Sequence, residues 1–505
     1  MKKIMLSLAI SLQASIVFAA SAYSLDFNPN TYTVKTLTYE GKQFHVRAYE
    51  NIVYVKSPVD INYQILNVYV LMEYYENKTV NGYTEKTAPI FFPNSVGGYM
   101  PAKPLILEES QQVAEPPQNG KLSMPPMMGM RNNASLAALQ QGFIVVAPGA
   151  RGRTTQDKKN EYTGKAPASI VDLKAAVRYL HYNDAVMPGD AHKIISNGTS
   201  AGGALSALLG ASGNHVDYEP YLKKLGAAEA KDDIFAVSAY CPITNLDHAD
   251  MAYEWLLANI THYKKLVISG NTDWNIKRKM VEGDLTADQR AIAIQLKDLF
   301  PSYLNSLGLK KSDGTHLTLD KNGEGSFKEY VQSFVVNSAQ KALESGKDMS
   351  AYPWLSIANN RITAIDFEQY LQYMGRMKTP PAFDALDVSS GENNLFGTDK
   401  INNQHFTSFG LKNDTAKGTF ADAHSIKMMN PMEYIGSHGA TVSKYWRVRH
   451  GTIDKDTSLA ISVILATKLQ NNGYDVNFEL PWDKPHSGDY DLDELFEWAN
   501  TICRK

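Results

Sequence analysis

The sequence predicts an α/β architecture: a mostly parallel sheet, helices on both of its faces, and a large, mainly helical insertion. Three observations carry that prediction. Short runs rich in Val, Ile and Tyr alternate with apolar-striped helical stretches between about residues 143 and 240. The same alternation resumes at about residue 444 and continues to the end of the chain. Between these regions, from 246 to 435, helical patterns dominate and strand signals are few. The simplest organisation is a first core segment over 23–245, an inserted lid domain over 246–435 and a second core segment over 436–505.

The elements follow in chain order. Met1, Lys2 and Lys3 make a short cationic start, and residues 4–20 are mostly apolar. Small residues then follow, the pattern of a secretory signal peptide over 1–22. The apolar run is short and Gln13 interrupts it, which argues against a membrane anchor. No cysteine follows it, so a lipidated start is not expected, and no later stretch is apolar enough to span a bilayer. The expectation is export to the periplasm or medium, with no stable membrane insertion.

Residues 44–55 and 68–75 read as the strands of an opening antiparallel hairpin. Residues 143–147 form a buried-type strand that stops at Pro148-Gly149. Residues 170–180 carry apolar side chains at helical spacing, 193–197 read as a strand, 201–209 as a small-residue helix and 234–240 as another strand. The insertion shows helices over 249–262, 287–299, 327–345 and 365–377. A strand over 444–449, a helix over 459–469 closed by Asn472-Gly473, a strand over 476–480 and a helix over 492–502 complete the chain.

Composition excludes several classes. The 505 residues carry a net charge of -3 and are 44% hydrophobic and 20% charged, with no basic stripe for nucleic acid. Cys241 and Cys503 are the whole cysteine complement, too few for a disulfide framework or a Cys-rich metal site. Whether they pair is left open, as is the oligomeric state. No His-Glu-x-x-His occurs.

The chemistry centres on Gly198-Thr199-Ser200-Ala201-Gly202, a G-x-S-x-G motif with a strand before it and a helix after it. Small neighbours let a serine sit on a sharp strand-to-helix turn, as a nucleophile elbow requires. A serine hydroxyl needs a base, and in α/β-hydrolases the order is Ser, then Asp or Glu, then His. His486 is the one histidine after residue 456 and lies between the last strand and the last helix. Asp454 and Asp456 both qualify as the acid. Residues i and i+2 of an extended chain point the same way, so one can orient His486 while the other faces the pocket. Asp233 and Asp247 flank an earlier strand, and His450 reads as structural. The amide of Ala201 and that of Gly98, in a Gly-Gly loop, are the expected oxyanion donors. The mechanism needs no metal and no cofactor.

The segments NGTSAGG (197–203), PGARGRT (148–154), YWRVRHGTIDKDTSLA (445–460) and DKPHSGDYDLDELF (483–496) resemble bacterial tannases of subtype B, relatives of feruloyl esterases. The resemblance covers most of the mature chain, and is weakest over about 265–350. It implies an α/β-hydrolase core with a large inserted lid, and a Ser200, Asp454, His486 triad. It further implies that Lys378, Glu392 and Asp456 read the three hydroxyls of a galloyl ring. Carboxylates accept from phenol hydroxyls and an ammonium donates to one, so such a site discriminates against rings that lack them. The expected activity is hydrolysis of small aromatic galloyl esters and depsides through a galloyl-enzyme. The rivals are a feruloyl or general carboxylesterase with the same triad, and a non-catalytic binding protein on a hydrolase scaffold.

Overall fold

The computed structural model describes residues 23–108, 127–269 and 277–505. The expected signal peptide, 1–22, lies outside the described residues. The strands, in chain order, are β1 (Thr33–Tyr39), β2 (Lys42–Val53), β3 (Ile65–Leu71), β4 (Pro89–Asn94), β5 (Ile144–Pro148), β6 (Asp190–Thr199) and β7 (Ala236–Tyr240). Two hairpins follow, β8 (His262–Ser269) with β9 (Lys277–Asp284) and β10 (Leu355–Ala358) with β11 (Arg361–Ile365). The last strands are β12 (Tyr445–Arg449) and β13 (Asp475–Glu479).

Nine strands form one sheet in the order β1-β2-β3-β5-β4-β6-β7-β12-β13. The ladders from β5 through β4, β6, β7 and β12 to β13 are parallel, and β1, β2 and β3 add an antiparallel edge. This is the mostly parallel sheet read from the sequence. Parallel ladders need both faces covered, and the central strands accordingly run as continuous buried stretches: AVSAY in β7, YWRVR in β12. The two arginines of β12 are tolerated there because Asp491 pairs with both and the Tyr240 hydroxyl accepts from Arg447. Helices Ala168–Asn183, Ala201–Ala211 and Leu459–Asn471 are buried along most of their length.

Register positions the site. Thr199 of β6, Tyr240 of β7 and Arg449 of β12 are level with one another. The next residues, Ser200, Cys241 and His450, therefore emerge together at the carboxyl edge of the sheet, where ligands bind in open α/β sheets.

The chain between β7 and β12 carries the helices expected there, with two differences. The expected helix over 249–262 runs instead over Leu246–Leu257, after which the chain turns into β8. Strands are also more frequent than expected, because β8 and β10 are specified by partners found only in the fold, β9 and β11. Among the described residues, no helix is long and apolar enough to cross a membrane. Cys241 and Cys503 are both free and buried.

Candidate active site

Ser200 sits between the last residue of β6 and the first of helix Ala201–Ala211, at φ 61 and ψ -124. Such a conformation is costly for a residue with a side chain and persists only where the surroundings over-determine it. They do so here. The Ser200 amide donates to the Tyr240 carbonyl at 3.0 Å, and the Ser200 carbonyl accepts from Ala204 at 2.9 Å. A Cβ on Gly198 would lie 2.4 Å from the Gly202 carbonyl oxygen, and one on Gly202 would lie 2.7 Å from that of Val96. The two glycines of the motif are thus demanded by close backbone approach. Ala201, as the first residue of its helix, has an amide with no intrahelical acceptor.

His486 Nδ1 is 2.8 Å from Asp454 Oδ2. Its loop is pressed onto the elbow, since a Cβ on Gly488 would lie 2.0 Å from Thr199 Oγ1. Burial would lower the His486 pKa, but Asp454, with help from Cys241 and Asp456, raises it well above the ordinary imidazole value. Burial would likewise raise the Asp454 carboxyl. The His486 and His450 charges and the bonds it accepts pull it instead to about 2. His450 is fully buried, with Nδ1 3.1 Å from Ser462 Oγ and Nε2 3.9 Å from Asp454. It lies behind Asp454, inside the core. Asp233 and Asp247 are occupied elsewhere, by Asn214 and Asn430.

One cavity of about 380 Å³ is lined by Ser200, Ala201, Gly98, Lys378, Glu392 and Asp456 together. Asp456 Oδ1 is 3.1 Å from Lys378 Nζ and 4.0 Å from His486 Nε2, so the two aspartates of the 454–456 turn face opposite ways along one histidine. Lys378 also lies over the Phe383 ring, 3.8 Å from its centroid. Burial raises the Glu392 carboxyl, against the opposing charge of Lys378. Gly98 is held at φ +54.

Helix Leu246–Leu257 carries the supports of this wall on one face, at spacings of three and four residues. Asp250 accepts from the amides of Phe383 and Asp384, at 2.7 and 3.1 Å. The Tyr253 hydroxyl accepts from the Met377 and Lys378 amides, at 3.2 and 3.0 Å. Glu254 pairs with fully buried Arg376, whose Nε donates to the Lys378 carbonyl at 2.6 Å. Glu392 is fixed from the other side. It lies in the first turn of helix Gly391–Leu395, capped by Ser390. Asn393 of that helix donates to Asp384, which is also bonded to His405 and Thr407.

Sequence reasoning missed four contributors. Arg153 bridges the two halves of the cavity: Nε donates to the Gly98 carbonyl at 2.9 Å and Nη1 to Asn394 Oδ1 at 3.0 Å. No local pattern marks it, because both partners are distant in sequence. Lys265 lines the cavity from β8. Asp250 looked like an ordinary helix residue. Cys241 reaches the His486 ring, which no local pattern reveals.

Comparison with known proteins bears on what this cavity serves. A family model described as BD-FAE matches residues 123–280. Among curated proteins nothing matches. Among solved structures, a tannase from Fusobacterium nucleatum is 52% identical with a TM-score of 0.87, covering 95% of this chain and 100% of its own. The chain belongs to the tannase family. A tannase from Lactobacillus plantarum is 45% identical with a TM-score of 0.87, again covering 95% of this chain and 100% of its own. A tannin acyl hydrolase in complex with ethyl gallate is 45% identical with a TM-score of 0.84, covering 95% of this chain and 99% of its own. A further structure holds 3,4-dihydroxybenzoate at 45% identity and a TM-score of 0.85. This tannase-family chain is accordingly an α/β-hydrolase and a carboxylic ester hydrolase.

Proposed function

We propose that this chain is an exported serine esterase that cleaves galloyl ester and depside bonds. The observation that carries the reading is the convergence of Ser200, Lys378, Glu392 and Asp456 on one cavity. The gallate and dihydroxybenzoate complexes of similar proteins support small aromatic esters as substrates. On this reading, residues 246–435 are a lid over a core formed by 23–245 and 436–505.

The proposal implies the following steps. His486 accepts the Ser200 proton as Oγ attacks the ester carbonyl, while Asp454 holds the imidazole tautomer and stabilises the imidazolium. The Ala201 and Gly98 amides stabilise the oxyanion. The tetrahedral adduct expels the alcohol, which takes the proton from His486, and leaves a galloyl ester on Ser200. Water then attacks that ester, giving its proton to His486, and gallate departs as the proton returns to Ser200. Asp456, Lys378 and Glu392 bind the ring hydroxyls and so set the ester carbonyl against Oγ. Rings without hydroxyls offer no partner to the Glu392 carboxyl or to the Lys378–Asp456 pair, and so bind less well.

Two measurements test this. Ser200→Ala is expected to abolish turnover of methyl gallate while leaving the folded circular dichroism spectrum unchanged, and normal turnover would overturn the assignment. Methyl gallate is expected to be hydrolysed faster than methyl protocatechuate and much faster than methyl ferulate. Equal rates on gallate and ferulate would favour a feruloyl or general esterase.

A further inference from the structure

Cys241 is a thiol beside His486 and Asp454 that the reaction above does not use. It follows β7 directly, at φ 36, and its amide donates to the Arg449 carbonyl at 2.6 Å. Because β7 lies between β6 and β12, this position falls between the strand that leads to Ser200 and the strand that leads to Asp454. The side chain is buried and turned towards the His486 loop, with Sγ 3.5 Å from the Ser487 carbonyl oxygen. Cys241, His486 and Asp454 each present one ligand atom, and all three atoms lie within 4.8 Å of one another.

A thiolate, an imidazole and a carboxylate form a ligand set suited to a borderline or soft divalent ion. Zinc takes sulfur at about 2.3 Å and nitrogen or oxygen at about 2.0–2.2 Å, so atoms around one ion lie roughly 3.3–3.7 Å apart. The spread here closes to that range with a shift of about an ångström. Cys241 and Asp454 are buried, and His486, with its side chain 23% exposed, is the member of the three that meets solvent.

We propose that Cys241, His486 and Asp454 form a capture site for a thiophilic divalent cation, typified by Zn2+, and that its occupation shuts off hydrolysis. Binding exchanges the thiol proton of Cys241 for the metal, with the proton leaving to solvent and no change of oxidation state. The ion takes the imidazole nitrogen and the carboxylate oxygen that otherwise bond each other. His486 can then no longer accept the Ser200 proton. The fourth position of a tetrahedral ion is left to water. Hard cations such as Mg2+, which demand six oxygens, do not fit.

The inhibitory half rests on the esterase reading, and the binding half does not. The full mature chain, stripped with a chelator, is titrated with Zn2+ by calorimetry, and methyl gallate hydrolysis is followed in parallel. One ion per chain is expected, with hydrolysis lost in proportion to occupancy, restored by chelator and unaffected by Mg2+. Cys241→Ser and Cys241→Ala are expected to weaken binding at least ten-fold and to lose the inhibition, scored against each variant's own metal-free rate. Cys503→Ser should bind as the wild type does. Cd2+ should give a thiolate charge-transfer absorption that depends on Cys241 and not on Cys503. Undiminished Zn2+ binding in both Cys241 variants, or Cys241-dependent binding that leaves hydrolysis intact, overturns the proposal. A metal-free protein with no activity on methyl gallate instead overturns the esterase reading and leaves calorimetry to judge the site.

Discussion

At the scale of single residues, Asp454 and Arg153 act through neighbours. Asp454 raises the His486 pKa, and His486 must be unprotonated to act as the proposed base. Activity should therefore rise with pH through a His486 value above the ordinary one of about 6.5. Asp454→Asn removes the first raising influence, so the acid limb of the kcat/KM profile should move to lower pH. The plateau should fall by as much as ~10⁴-fold, the scale seen where an imidazole loses its orienting carboxylate. Steady-state profiles of the two enzymes check both points. Arg153 holds the Gly98 peptide and the Glu392 helix at once. Arg153→Met should lower kcat/KM on methyl gallate by up to about 10²-fold, since small misplacements of reacting groups cost that much. Arg153→Lys keeps the charge but not the two-ended bridge, and is expected to rescue little. Among residues, Ser200 was legible because its glycines answer a local demand for backbone space. Arg153 was not, because its two partners lie 55 and 241 residues away in sequence.

At the scale of elements, helix Leu246–Leu257 determines where Lys378 and the loop after it stand. Its Glu254 is the carboxylate paired with Arg376, and that guanidinium is fully buried. Glu254→Ala leaves a buried charge uncompensated, a loss of about 3–5 kcal/mol. Urea unfolding should report that loss, and KM for methyl gallate should rise as Lys378 shifts. Core elements of the second segment were read closely: the strand expected at 444–449 is β12, and the helix expected at 459–469 spans Leu459–Asn471. β4 was not read as a strand. It carries Pro89 and Pro93, residues that normally mark strand edges, yet it lies at the centre of the sheet. Its pairing with β5 is confined to Ile90 and Phe91, between the two prolines.

At the scale of the whole molecule, stability should carry the signature of one buried acid. Burial, and then the Asp384 charge, hold the Asp250 carboxyl at about 7, well above an unfolded aspartate. The folded state keeps this proton where the unfolded chain releases it. The group therefore destabilises the fold progressively as pH rises from about 4 to about 7, by on the order of 4 kcal/mol. Chemical denaturation across that window should show a falling midpoint in the wild type. Asp250→Asn should show a shallower slope, because asparagine does not titrate.

The sequence by itself determined the architecture and marked the candidate reacting groups, because both are written in short-range patterns. Strand and helix periodicity needs only neighbouring residues, and an elbow needs glycines two positions either side of its serine. The two aspartates two residues apart were also visible, but not which way each faces. Only the tertiary structure decided that Lys378 and Glu392 join Ser200 in one cavity, that Arg153 ties its halves together, and that Cys241 lies against His486. These relations come from level register across β6, β7 and β12 and from one helix face holding a distant loop. Such contacts depend on how separate segments pack, and no local periodicity encodes that.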